Sequence, residues 1–214
     1  MKDKDLQQNV MDELNWEPSV NAAHIGVAAS DGVITLTGTV GSYAEKDAAE
    51  AAAGRVYGVK GVADELKVVY ASDKRTDDAN IAKRALQVLS WDVTVPASIK
   101  VSVENGWVTL SGETAWNYQR DAAEFDVQKL DGVLGVTNEI TITPSVRASE
   151  VKDDIIGALG RNAQIEADNI TVTADGGKVT LAGDVDTWYE RDLAETTAWS
   201  APGVTQVNNN LTVI

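Results

Sequence analysis

The sequence predicts an α+β protein built as three tandem α-β-β-α-β domains, each a three-stranded sheet with two helices on one face. Three observations carry that reading. The block GVITLTG at residues 32–38 recurs as GWVTLSG at 106–112 and as GKVTLAG at 177–183, offset by 74 and then by 71 residues. At the same offsets KDAAE (46–50) becomes RDAAE and RDLAE, and GVKGV (58–62) becomes GVLGV and GVTQV. The apolar spacing also changes from helical to alternating in the same order within each copy. Three blocks in register establish an internal repeat.

Each copy opens with apolar residues at helical spacing: Leu6, Val10 and Leu14; Ile81, Ala85 and Leu89; Val151, Ile155 and Leu159. A first strand follows with period-two alternation at Ile25 and Val27, at Ile99, Val101 and Val103, and at Ile170 and Val172. Asp31-Gly32, Asn105-Gly106 and Asp175-Gly176-Gly177 are hairpin turns leading into the second strand, because glycine accepts positive φ at no steric cost. An Ala-rich second helix is predicted to begin near Glu45, Gln119 and Glu190, with Ala49, Ala53 and Val56 against the sheet in the first copy. The Gly-Val-x-x-Val block ends it and opens a third strand, marked by Leu66 and Val68, Ile140 and Ile142, and Leu211 and Val213. Polar stretches at 71–78 and 143–147 separate domains spanning 1–71, 76–143 and 147–214. Linkers this short predict that neighbouring copies touch.

Composition narrows the function. The chain has 214 residues, 33 acids, 18 bases and a formal charge of −15. Divided at the linkers, each third holds 11 acids, against 6, 7 and 5 bases, so the charges are −5, −4 and −6. Evenly spread acidity disfavours nucleic-acid phosphate and opposes anionic lipid. There is no cysteine, which removes disulfides and thiolate chemistry. No stretch approaches the ~20 apolar residues of a membrane span, and the first residues do not read as a signal peptide. A cytoplasmic location is expected, or a periplasmic one if a leader has been replaced by Met1.

The helix, the Gly-Val-x-x-Leu-x-Gly hairpin, the Lys/Arg-Asp-x-Ala-Glu helix and the Gly-Val-x-x-Val turn together resemble the BON domain, three times over essentially the whole chain. The resemblance implies an association with osmotic and envelope stress. It also implies work in the periplasm for several members, phospholipid-surface binding for some, and potassium binding for one in which a LysM domain is attached. This sequence has no lipid-attachment cysteine and no LysM segment. Its glycines and valines answer to turns and packing, and so speak for fold rather than function.

No catalytic site is expected. His24 is the single histidine and has no counterpart in the other copies, where Ser98 and Asn169 align. General base work needs an orienting partner and a pocket. No nucleophile elbow, P-loop or dinucleotide motif occurs, and the glycines between 54 and 61 follow a helix and stop it. Asp184 and Asp186 form a short acidic pair best read as a solvated loop, without calcium-loop spacing. No cofactor and no metal are therefore expected, and a cation-binding role stands as a remote alternative.

Candidate surface contacts are aromatic and basic. Trp107 belongs to the face of the second strand opposite Val108 and Leu110. It is expected either to serve recognition or, as the short linkers favour, to be covered by an adjacent copy. Tyr43, Trp116, Tyr118, Trp188 and Tyr189 gather at the entrance to the second helix. Rings with a polar handle suit a half-wet surface. Trp16 and Trp91 match one another after the first helix and are expected at core edges. Lys46, Arg120 and Arg191 each precede a glutamate by four residues, the weaker orientation for a helical pair. Their recurrence asks for a bridge to another element or for a repeated contact with a partner. A non-enzymatic protein that binds a protein or membrane surface is the reading these features support.

Overall fold

The computed structural model describes residues 2–70, 77–143, 151–162, 165 and 167–214. Of the two expected linkers, residues 71–76 and 144–147 lie outside the described residues. The first helices are α1 (Asp3–Trp16), α3 (Asp78–Trp91) and α5 (Val151–Arg161). Each buries the three residues its spacing predicts: Leu6, Val10 and Leu14; Ile81, Ala85 and Leu89; Val151, Ile155 and Leu159. The helix N-terminus is tied to the hairpin behind it. Asp3 accepts the backbone N–H of Asp31 at 3.0 Å, and Asp78 accepts those of Asn105 at 2.8 Å and Gly106 at 2.9 Å.

The hairpins are β1 (Ile25–Ser30) with β2 (Val33–Val40), β4 (Lys100–Glu104) with β5 (Trp107–Thr114), and β7 (Ile170–Asp175) with β8 (Lys178–Val185). Asp31 and Gly32 have φ of 52° and 85°, and Asn105 and Gly106 have 53° and 80°. Two consecutive left-handed residues match the twist of the strands they join. The third strands, β3 (Gly61–Val68), β6 (Gly135–Ile142) and β9 (Gln206–Val213), run parallel to the second. Each sheet therefore has its second strand in the centre, and the second helix makes the crossover that a parallel pair requires.

The recurring Gly-Val block is explained by one hydrogen bond per copy. Lys60, Leu134 and Thr205 each donate a backbone N–H at 2.8 Å to the carbonyl of the hairpin glycine, Gly32, Gly106 or Gly177. Val59, Val133 and Val204, one residue earlier, are buried and anchor the turn. Gly38, at φ 118°, closes the other end of the hairpin, where a Cβ would collide with the His24 carbonyl.

The second helices are α2 (Tyr43–Gly54), α4 (Asn117–Gln128) and α6 (Trp188–Trp199). They begin two residues before the expected positions because reciprocal caps extend them. Ser42 and Thr187 each accept the backbone N–H of the residue three along at 3.1 Å. Glu45 and Glu190 reach back to the backbone N–H of Gly41 and Asp186 at 2.7 and 2.8 Å. Small buried residues (Ala49, Ala52 and Ala53; Ala123; Ala194 and Ala198) let these helices lie close to the sheet.

Both helices of a copy cover the same face. In β2, Ile34, Leu36 and Val40 are buried while Val33, Thr37 and Thr39 are exposed. Each copy holds its own apolar cluster. Burying one Leu, Ile or Val contributes about 1.5–3 kcal/mol, so each cluster is a core in its own right. The three copies also touch. Tyr43 packs against the core of the second copy, and the Tyr70 hydroxyl donates to the Val133 carbonyl at 2.7 Å.

Candidate functional site

The first residue of each second helix faces a different copy. Tyr43, Asn117 and Trp188 occupy this position, and their contacts run from the first copy to the second, the second to the third, and the third back to the first. Tyr43 enters the second copy. Trp188 lies against α2 of the first, its Cδ1 3.2 Å from where a Cβ on Gly54 would stand. Asn117 shares cavities with Thr196 and Trp199 of the third copy. The copies thus close head to tail into a ring.

One turn further along α2, α4 and α6, acidic side chains from neighbouring copies face one another. Asp47 feels Glu124, Asp121 feels Glu195, and Glu50 feels Asp192. Burial pushes the Asp47 carboxyl above the usual carboxylate range, and the Glu124 charge adds to it. Asp121 and Asp192 are raised by burial and by Glu195, against the pull of Arg120 and Arg191 respectively. Burial also raises Glu50, with Asp64, Asp47 and Asp192 adding and Lys46 opposing. Among the described residues no group of three or more His, Asp or Glu side chains is placed to hold a metal ion.

The three basic residues diverge. The Lys46 ammonium donates to the Leu66 carbonyl at 2.9 Å and pairs with Asp64 at 3.0 Å. Arg191 donates to the Asn209 and Leu211 carbonyls at 3.0 and 3.3 Å, with Trp188 beneath its guanidinium at 4.8 Å. Both clamp the second helix to the third strand of the same copy. Arg120 leaves that place and lies over the Trp199 ring of the third copy at 5.9 Å. Asn138 donates to the Arg120 carbonyl and to Glu124, each at 3.0 Å, and Asn209 makes the equivalent bonds to the Arg191 carbonyl and Glu195 at 3.1 and 2.9 Å, so this link is shared by the second and third copies.

The aromatics separate in the same way. Tyr43 and Trp188 are partly buried and contact the protein's own copies. Tyr118 is exposed, and its ring centroid is 6.5 Å from that of the half-buried Trp116. With Trp199 these two line a cavity of about 490 Å³. Tyr189 and Trp188 line another, of about 600 Å³, against Ala51, Gly54 and Val62 of the first copy. Trp107 is packed within its own copy: its ring covers Gly135 and its indole donates to Thr137 Oγ1 at 2.8 Å. It stays 50% exposed, so the expected cover by a neighbouring copy is not what holds it.

Trp16 and Trp91, expected at core edges, are 83% and 71% exposed. Each is the last residue of its helix, beyond the final buried leucine, and so projects past the sheet. The sequence reading also missed Asn117 and Trp199. The repeat offsets of 74 and 71 already align Asn117 with Tyr43 and Trp188, three residues before each base, and mark it as the polar exception.

The fold defines a tandem-repeat α+β protein whose distinctive features lie at the junctions and on the rim. The chain belongs to the BON domain family, which matches residues 2–70, 77–144 and 148–214. It is similar to Osmotically-inducible protein Y of Escherichia coli (strain K12), 30% identical over 145 residues, which cover 65% of this chain and 72% of that protein. Among solved structures it aligns with CdsD, a structural protein of the Type III secretion system of Chlamydia trachomatis. There the identity is 18%, the coverage 98% of this chain and 92% of that one, and the TM-score 0.26. The C-terminal domain of CdsD gives 17% identity, full coverage of both chains and the same TM-score. These scores are too low to bear on function or on the arrangement of the copies. No helix among the described residues is long and apolar enough to cross a membrane.

Proposed function

We propose that this is a non-enzymatic, osmotic-stress-associated binding protein that engages a protein or other macromolecular surface through aromatic side chains repeated on its rim. The observation that supports it is the paired exposure of Trp16 and Trp91, at matching helix ends in two copies of a closed ring. Large apolar side chains left in water at corresponding positions mark contact sites, and indoles are favoured at the centres of interfaces. Copies held in one ring engage a target together, which raises avidity without a tight single site. The stress association follows the relative's name.

Photo-crosslinking from positions 16 and 91 in osmotically stressed cells tests this reading. Adducts to one defined partner, lost when the other tryptophan is changed to serine, support it. Crosslinks no stronger than those from a control position on the open sheet face, such as Thr39, reject it.

Peripheral contact with phospholipid is the second reading. One observation favours it: the exposed Phe125 ring has the Lys129 ammonium 3.0 Å from its centroid, an apolar group beside a cation. The charge of −15 opposes it. Co-sedimentation with anionic and neutral liposomes at low and physiological salt decides, since a charge-driven contact weakens with salt.

A further inference from the structure

Asn105-Gly106 is the single Asn-Gly step in the chain, and the corresponding turns of the first and third copies carry aspartate, Asp31 and Asp175. Such a step reacts with itself: the glycine nitrogen attacks the asparagine side-chain carbon, and a residue without a Cβ offers that attack no steric resistance. Asn105 is exposed at the hairpin tip, where water reaches it. The attacking nitrogen, however, is engaged. The Gly106 N–H donates to one oxygen of the Asp78 carboxylate at 2.9 Å, and the Asn105 N–H donates to the other at 2.8 Å. Gly106 is itself buried, and its carbonyl accepts the Leu134 N–H at 2.8 Å. Both sides of the reacting residue are thus held, and its nitrogen is committed to the first residue of α3 rather than to the Asn105 side chain. Hydrogen bonds to an ionised acceptor are among the stronger ones in a protein.

We propose that Asn105 is a site of spontaneous deamidation and that Asp78 governs its rate, releasing the reaction when the first turn of α3 parts from the hairpin. In this step the Gly106 nitrogen bonds to the Asn105 Cγ and gives up its proton, and the side-chain nitrogen departs as ammonia. Water then opens the cyclic imide at either carbonyl, leaving aspartate or isoaspartate. Aspartate is what the other two turns carry, and Asp31 holds a φ of 52° against 53° at Asn105, so the fold accommodates it. Isoaspartate lengthens the backbone inside a two-residue turn. It cannot keep both the Glu104–Trp107 pairing and the bond from Leu134 to Gly106. The second copy therefore carries an irreversible gain of charge that the other turns, already aspartate, cannot undergo, and its extent records how often α3 opens. The reaction is independent of the rim contacts, and its failure leaves the surface reading intact.

Incubation of the full chain in mildly alkaline buffer, followed by peptide mass spectrometry, is the test. The folded protein is expected to show the mass gain of an amide replaced by a carboxyl slowly at Asn105. In urea, where the bond to Asp78 is gone, the gain is expected at least about tenfold faster. Asp78→Ala, with its fold checked by circular dichroism, is expected to react about tenfold faster than the folded wild type. Asp78→Asn keeps one acceptor oxygen and is expected to fall between the two. Should Asp78→Ala lose its fold, Asp78→Asn and the comparison in urea decide. The proposal is overturned if the gain maps to another residue, if urea does not speed it, or if removing the Asp78 carboxylate leaves the folded rate unchanged or lowers it.

Discussion

Trp188 of the third copy rests on Gly54 of the first, its Cδ1 3.2 Å from where a side chain there would begin. Gly54 is the last residue of α2, so the absence of a Cβ at that helix end is what admits the indole. Gly54→Leu is expected to expel Trp188 and to cost about 1–3 kcal/mol of stability, the usual range for overpacking. Denaturant unfolding measures the loss, and a shifted Trp188 indole resonance locates it at the junction. An unchanged resonance would mean that the first and third copies do not meet in solution.

The opposite junction depends on Tyr43 and Tyr70. Tyr70→Phe removes the 2.7 Å hydrogen bond to the Val133 carbonyl and is expected to cost about 1 kcal/mol. Tyr43→Ala also removes packing against the second copy's core, and a cost of about 1–3 kcal/mol is expected. Because the group lost bridges two copies, hydrogen exchange should speed up in β6 as well as in α2. Acceleration confined to α2 would contradict the junction.

The recurring basic residues should not behave alike. Lys46→Met and Arg191→Met each break hydrogen bonds to third-strand carbonyls, and a cost of about 1.5–3 kcal/mol is expected for bonds to a charged group. Arg120→Met breaks no such bond and is expected to change stability by less than about 0.5 kcal/mol. Equal losses at all three positions would show that Arg120 also clamps its helix.

Stability should fall as pH rises from the acidic side. Asp47, Glu50, Asp121 and Asp192 are raised in the folded protein, by desolvation first, and because each residue stays exposed the contribution of each is small. A raised acid binds its proton more tightly folded than unfolded. Its stabilising effect is therefore full below the ordinary value, 3.8 for aspartate and 4.5 for glutamate, and is lost as pH climbs through the raised one. Glu17 and Asp92 are lowered by hydrogen bonds led by Ser19 and Thr94, so they act in the opposite sense, losing their contribution as pH falls. Thermal midpoints are expected to decline as pH rises above the ordinary carboxylate values, and Asp47→Asn with Asp192→Asn should flatten the decline. A double variant with the wild-type slope would refute the assignment.

Trp16→Ser and Trp91→Ser are expected to leave stability within about 0.5 kcal/mol, because neither indole is buried. Together they should remove most of the crosslinked partner described above. A large loss of stability would instead return both residues to the core edge.

Most of the fold was legible in the sequence. Leu6, Val10 and Leu14 face the core where their spacing put them, and Asp31-Gly32 turns where its chemistry required. The candidate site was less legible. Tyr43 and Trp188 were recognisable as a pair of aromatics at a helix entrance, yet nothing in their spacing distinguishes a ring facing water from one facing another copy. Trp16 and Trp91 show the converse, since a matched pair after a core leucine reads as a core edge and lies in solvent.

The sequence by itself determined three copies, their element order and the face each helix and strand buries. Periodicity and turn chemistry are local properties, and repetition gives three independent readings of each. Only the tertiary structure decided which copy meets which, that Asn117 stands at its junction where Tyr43 and Trp188 place rings at theirs, and that Arg120 parts company with Lys46 and Arg191. Those outcomes depend on shape and charge meeting across residues more than sixty positions apart, as Tyr70 meets Val133, and no local pattern carries that information.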